Sequence, residues 1–125
     1  MVRQLGQLEA AVMERVWSAD AAVSVREVLD ALQQERTIAY TTVMTVMDNL
    51  HTKGLLVRQK EGRAYRYRAA RTREQHAAEY MQNVLASGSD RTATLLHFLE
   101  QMPADEVAEL RRALDQAGNG EAATS

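Results

Sequence analysis

The spacing of apolar residues changes twice along this chain, and this change most constrains its fold. Up to Lys53 the apolar residues recur every three or four positions, as on one face of a helix. Between Leu55 and Arg68, two short apolar or aromatic runs flank Gly62, which is typical of a two-stranded hairpin. From Thr72 the helical spacing returns. The sequence therefore predicts a mainly α fold with one hairpin near its middle.

Three helices are predicted before the hairpin, at approximately residues 5–18, 24–35 and 40–53. Ser24 and Glu27 form a capping-box pattern at the start of the second helix, and Gly54 suits the end of the third. Three helices followed by a two- or three-stranded β wing make a winged helix-turn-helix, in which the third helix enters the major groove of DNA. The third helix, from Tyr40 to Lys53, is therefore the predicted recognition helix.

Helices are also predicted after the hairpin. Thr72 and Gln75 form another capping-box pattern, Asp90 suits a helix N-cap, and Pro103 precedes a last helix that we expect to end near Ala117. Three parts follow from these patterns. They are a winged DNA-binding domain at residues 1–71, an α-helical dimerisation segment at 72–117 and a disordered tail at 118–125.

The charges are distributed unevenly along the 125 residues. The net charge is only −2, but it divides into −3 for residues 1–35, +7 for 36–73 and −6 for 74–125. One basic segment between two acidic ones is expected if only that segment meets phosphate, although a solvated basic face would give the same pattern.

Several classes of protein are excluded or disfavoured by what the sequence does not contain. There are no cysteines, which excludes disulfides and thiolate metal sites, and the three histidines have no short ligand spacing. No apolar run is long enough to span a bilayer, so we expect a cytoplasmic location. No pattern of catalytic residues is complete. We therefore expect no enzyme, no metal site and no cofactor.

The outer face of the recognition helix carries side chains that can bond to base edges. The predicted base-reading residues are Thr41, Thr42, Thr45 and Asn49. The alternative is that Thr41 and Thr42 merely cap the helix start. Asp48 fits this surface less well, because a carboxylate repels phosphates unless it accepts from cytosine or orients an arginine. The candidate phosphate or wing contacts are Tyr40, Lys53, Arg58, Lys60, Arg63, Arg66 and Arg68.

The first 70 residues resemble the penicillinase-repressor (BlaI/MecI) family of winged-helix repressors. The shared features are Trp17 in the first helix, the run from Ala39 to Thr45, the Lys-Gly-Leu-Leu sequence at 53–56 and the Gly-Arg pair at 62–63. The resemblance implies a homodimer that binds an inverted-repeat operator and represses β-lactam resistance genes. A second helical block that buries its apolar residues poorly alone agrees with a dimer. The predicted dimerisation residues are Tyr80, Val84, Leu95, Leu96, Phe98, Leu99, Leu110 and Leu114.

The resemblance also implies release from DNA by cleavage in the dimerisation segment, triggered by a β-lactam-responsive membrane sensor protease. Family members are cut at an Asn-Phe bond, and the corresponding pair here is His97-Phe98. A copper-responsive branch of the family senses metal through C-terminal cysteines, which this chain lacks.

Two other functions fit a winged helix. One is a regulator of another class, released from DNA by a small-molecule ligand bound in an apolar pocket. The other is a protein-interaction module, which would not show the steep salt dependence of a phosphate-neutralising protein.

Overall fold

The computed structural model describes residues 5–124, and describes side chains for residues 5–118. This part of the chain holds helices and one antiparallel two-stranded sheet, in the order α1 Gln7–Ser18, α2 Val25–Leu32, α3 Tyr40–Thr52, β1 Leu56–Glu61, β2 Ala64–Ala69, α4 Arg73–Ala86, α5 Arg91–Glu100 and α6 Ala104–Thr124. The mainly α fold with a β wing is confirmed, and α3 begins at the predicted residue.

The chain divides into two compact units, the first ending at Asn83 and the second starting at Val84. The predicted domain boundary after residue 71 lies in the loop before α4. That residues 1–71 form a separate domain stays a prediction. The backbone of α6 is helical to Thr124, so the last helix does not end near Ala117. Good helix formers at 121–123 favour this extension despite two glycines. Side chains are described only as far as Gly118, so those of the rest of the predicted disordered tail, 118–125, lie outside the described residues.

The first unit has a single apolar core. Val12, Met13 and Val16 of α1 meet Val28 and Leu29 of α2, and all five are buried. From α3 the buried side chains are Val43, Met47 and Leu50, and from the hairpin they are Leu56 and Tyr67. The stripe predicted for α3 is therefore confirmed, with Val46 partly buried against the same core. Burying one face of α3 in this way turns the opposite face outward.

The start of α2 differs in part from the predicted capping box. The Ser24 hydroxyl accepts a hydrogen bond from the Glu27 N–H at 3.1 Å, as predicted. The Glu27 carboxylate instead accepts from Arg66 of the hairpin at 3.0 Å. The helix also ends at Leu32 rather than near Glu35, because the polar residues that follow have nothing to bury. At α4 and α5, the predicted caps by Thr72 with Gln75 and by Asp90 are confirmed.

The junction between α3 and β1 is a Schellman motif built on Gly54. The Gly54 N–H donates to the His51 carbonyl at 3.0 Å, and the Leu55 N–H donates to the Leu50 carbonyl at 2.9 Å. Gly54 has φ +84°, which a residue with a Cβ adopts only at a cost. This motif fixes the direction in which the chain leaves the recognition helix.

The hairpin forms the wing. Strand β1 continues beyond its apolar residues through Lys60 to Glu61, and β2 extends one residue past Arg68 to Ala69. The turn consists of Gly62, with φ +65°, and Arg63. A bridge between Val23 and Tyr67, with both N–H groups donating at 2.7 to 2.8 Å, adds one residue of a third strand. The wing is thus hydrogen-bonded to the segment that precedes α2.

Candidate nucleic-acid interface

Helix α3 presents an outward face of small polar side chains. Thr41, Thr42, Thr45 and Asn49 are all exposed, opposite the buried stripe. Within the described part of the chain, none of these side chains makes a hydrogen bond. No side chain forms a capping hydrogen bond at the start of α3, where Ala39 is the N-cap residue. Thr41 and Thr42 therefore do not cap the start of α3 in this structure. Their hydroxyls are available to an external acceptor or donor.

Asp48 lies on the same face but has a partner in the wing. Its Oδ1 accepts from the Arg58 guanidinium at 2.9 Å. The guanidinium also stacks on the Tyr65 ring, 4.1 Å from its centroid, and lies 3.5 Å from the Tyr67 hydroxyl. Hydrogen bonds to Tyr67 and to Asp48 raise the pKa of Arg58 above its ordinary value. Arg58 therefore connects the wing to α3.

Two further cations predicted to contact phosphate are held by carboxylates of the first unit. Lys53 Nζ lies 2.6 Å from Glu9 Oε2, which joins the end of α3 to α1. Arg66 contacts Glu27 at 3.0 Å and Glu61 at 2.9 Å, and donates to the Ala22 carbonyl at 3.0 Å. These contacts position α1, α2 and the wing, and they reduce the positive charge that each side chain presents to solvent.

The register of the hairpin separates the remaining cations by face. Lys60 pairs with Tyr65, on the side of the wing that carries Arg58. Arg68 pairs with Val57 on the opposite side, and Arg63 lies in the turn itself. All three cations are exposed, and none has an ion-pair partner among the described residues. Lys60 therefore shares the face of the wing whose Arg58 contacts α3, and Arg63 lies at the tip of the wing.

Sequence reasoning missed one cation beside the recognition helix. The Arg26 guanidinium lies 5.4 Å from the centroid of the Tyr40 ring, at the first residue of α3. Arg26 is exposed and sits in the first turn of α2. The first helix of a helix-turn-helix crosses the DNA backbone, so an arginine two residues after the Ser24 cap was a signal that could have been used.

The second unit contains no buried side chain among those described, which end at Gly118. The residues predicted to make the dimer are all exposed, from 37% for Tyr80 to 65% for Leu114. Met81 of α4, which is not among the predicted dimer residues, is exposed in the same way. His97 and Phe98 lie inside α5, where His97 Nδ1 is 3.5 Å from Glu100.

Two further properties concern residues 5–124, the part of the chain that the structure describes. No group of three or more potential metal ligands comes together there. In the same range, no helix is both long enough and apolar enough to cross a membrane.

Comparison with solved structures matches more than half of the chain to two BlaI structures. The solution structure of the DNA-binding domain of the repressor BlaI is 28% identical, with a TM-score of 0.51, over 58% of this chain and 90% of that one. The Bacillus licheniformis BlaI monomer, solved in complex with the blaP half-operator, is 27% identical, with a TM-score of 0.50, over 59% of this chain and 89% of that one.

The sequence comparisons extend to the second unit. The profile of the penicillinase repressor family matches residues 5–116. The transcriptional regulator BlaI of Mycobacterium tuberculosis is 43% identical over 122 residues, which cover 94% of this chain and 88% of that protein. These relatives are transcriptional regulators and not enzymes. The chain therefore belongs to the penicillinase repressor family.

Proposed function

We propose that this chain is a homodimeric transcriptional repressor that reads an inverted-repeat operator with α3 and the wing. The observation that carries the proposal is the exposed face of α3, where the side chains of Thr41, Thr42, Thr45 and Asn49 have no hydrogen-bond partner in the described structure. A relative of the same fold was solved on a half-operator, which supports DNA as the ligand of this surface.

The base-reading role is assigned to Thr41, Thr42, Thr45 and Asn49. A threonine hydroxyl bonds to base edges and its methyl contacts thymine, while asparagine pairs with adenine. Tyr40 lies at the helix start, where backbone N–H groups and the positive end of the helix dipole favour phosphate.

Exposed cations without a carboxylate partner are the proposed phosphate contacts. Lys60 and Arg63 are exposed cations of the wing, and Arg26 of α2 is an exposed cation beside Tyr40 of α3. Lys53, Arg58 and Arg66 are each bound to a carboxylate, so we assign them to positioning α3 and the wing. Arg68 lies on the other face of the hairpin from Arg58, and we assign it a minor electrostatic role.

The dimer part of the proposal rests on the second unit. It has exposed leucines on α5 and α6, including Leu96 and Leu114, and no buried side chain within the described range. A second copy is the partner that buries such a surface symmetrically. Two-fold symmetry then requires half-sites whose centres lie about 10 base pairs apart, or a multiple of that.

Family membership supports control of β-lactam resistance genes, with release by a β-lactam-responsive membrane protease. The proposed cleavage bond, His97–Phe98, is exposed but helical, so α5 must open locally before a protease can extend it in an active site. Cleavage there would separate Leu95 and Leu96 from Leu99, and so divide the proposed dimer surface.

Selection of bound duplexes from a random pool, followed by titration with the full chain, tests the proposal. We expect an inverted repeat, a dimer on it and an affinity that falls steeply as salt rises. A chain that binds every duplex equally would contradict the repressor assignment. Weak binding with a flat salt response would favour the protein-interaction module. Cleavage is tested by comparing the length of the chain before and after β-lactam exposure in a host that carries the sensor.

A second candidate function has one observation in its favour. The first unit holds a groove of about 700 Å³, with an apolar floor that includes Leu5, Met13 and Leu55 and with two ion pairs beside it. This volume suits a small molecule. If the protein were released from DNA by such a ligand, adding the ligand would raise its melting temperature and dissociate it from the operator. The proposed repressor would show neither.

A further inference from the structure

The C-terminal half of α1 is joined to the start of α4 by a cluster of side-chain contacts. We call it the α1–α4 clamp, and it consists of Glu14, Trp17, Ser18, Arg71, Arg73 and His76. All six residues belong to the first unit. None of them is among the residues assigned to DNA contact or to the dimer surface.

Arg73 forms the charged half of the clamp. Its Nε donates to Glu14 Oε2 at 3.3 Å, and its Nη2 donates to Oε1 of the same carboxylate. The guanidinium also lies 5.7 Å from the Trp17 ring centroid and 3.4 Å from the Ser18 hydroxyl. The hydrogen bond to Glu14 raises the pKa of Arg73. A two-point contact of this kind restrains direction as well as distance.

Trp17 forms the other half. Its indole Nε1 donates to the Arg71 carbonyl at 3.0 Å, and its ring centroid lies 5.4 Å from that of His76. Trp17 also packs against the core of the first unit. Arg71 in turn contacts Glu79 of α4 at 2.6 Å, so this one loop residue connects Trp17 of α1 to α4. The first turns of α4 are thus fixed to α1 at several points.

Helix α4 runs without a break from Arg73 to Ala86 and carries two of the proposed dimer residues, Tyr80 and Val84. A continuous helix transmits the direction of its first turns to its end. A change of one base pair between half-sites displaces one half-site by about 3.4 Å and rotates it by about 35°. A fixed α4 would not follow this change without breaking a contact.

We infer that the α1–α4 clamp determines which half-site spacing the repressor accepts, because it fixes the direction in which α4 leaves the DNA-reading unit. This inference rests on the proposed function. It assigns Glu14, Trp17 and Arg73 as positioning residues that touch no DNA. Without the clamp, α4 samples several directions, and the repressor tolerates operators that the intact protein rejects.

The test compares three duplexes with the full chain and its variants Glu14→Gln and Arg73→Gln. The duplexes are the inverted repeat recovered by selection, the same repeat with one base pair added between half-sites, and one half-site alone. We expect the Kd ratio between altered and selected spacing to fall by about threefold to tenfold in each variant, with half-site affinity unchanged. The double variant should lose no more than either single one, because both remove the same contact.

Two matched controls stay outside the clamp. Arg15→Gln removes a cation from the neighbouring position on α1, and Glu74→Gln removes an acid next to Arg73 that makes no hydrogen bond to it. Both should keep the full spacing preference. Trp17→Phe retains the ring but loses the donor to Arg71, and should relax the preference in part.

The outcomes separate the inference from the proposed function. Clamp variants that keep the full spacing preference overturn the inference, as does an equal loss in the controls. Wild-type protein that binds a half-site but ignores spacing overturns the inference and leaves operator binding in place. Wild-type protein that binds no half-site specifically overturns both.

Discussion

Two threonines of α3 place the same hydroxyl group in different surroundings. The Thr52 hydroxyl donates to the Asp48 carbonyl of its own helix at 3.1 Å, whereas Thr45 makes no side-chain hydrogen bond in the described structure. A hydroxyl already bonded to the backbone gains less from a base edge, because an existing bond must first be broken. Thr52 therefore serves as an internal comparison for Thr45.

Thr45→Ala should weaken binding to the selected operator by about 1 kcal/mol, or about fivefold in Kd, because it removes one base-edge contact. Binding to random duplex should stay the same. Thr52→Ala should change neither. Fluorescence anisotropy on both duplexes at one salt concentration measures this, and an equal loss on both would remove Thr45 from the base-reading set.

Arg63→Ala should flatten the dependence of log Kd on log salt concentration by about one, since one phosphate contact is lost. Arg68→Ala is the matched control, because Arg68 is another exposed cation of the hairpin with no ion-pair partner in the described residues. It pairs with Val57 and so lies on the other face of the hairpin from Arg58, where its removal should change the slope less. Identical slopes for the two variants would contradict the wing assignment.

At the scale of elements, the positions of the helices follow from the local sequence pattern, but the ion-pair partners of the cations do not. The bounds of α3 could be predicted because its apolar stripe and Gly54 are adjacent in sequence. The partners of Arg58 and Arg66 could not, because Asp48 and Glu27 lie 10 and 39 residues away. Pairing over such distances is set by the packed core, and it decides which cations face solvent.

Gly54→Ala should lower the free energy of unfolding by about 1 kcal/mol, because alanine at this positive φ is strained. Gly54→Asn is the matched variant, since asparagine tolerates the left-handed region better than alanine. Urea denaturation followed by circular dichroism measures both. We expect asparagine to retain more stability, and a reversed order would argue against conformational strain as the cause.

At the scale of the whole molecule, the two units differ in what stabilises them. The first has a closed core around Val12, Val28 and Met47, and the described part of the second has no buried side chain. The charges differ as well, with +7 over residues 36–73 and −6 over residues 74–125. Phosphate is attracted to one segment and repelled by the other, which agrees with a division between DNA contact and self-association.

Leu96→Asp should shift the protein from dimer to monomer in analytical ultracentrifugation, because a charge at a buried subunit contact is costly. Val57→Asp places the same charge on an exposed apolar residue of the wing and should leave the dimer intact. The monomeric variant should still bind a half-site. Dimer formation that Leu96→Asp does not disturb would move the interface away from α5.

In the proposed dimer, the lack of buried side chains in the described part of the second unit would link gene control to protein abundance. Subunits that gain their apolar contacts only on pairing are largely monomeric when scarce, and the concentration of pairs then varies as the square of subunit concentration. Halving the protein level would lower operator occupancy by up to about fourfold in that range. Modest changes in synthesis or degradation would then produce a steep change in transcription.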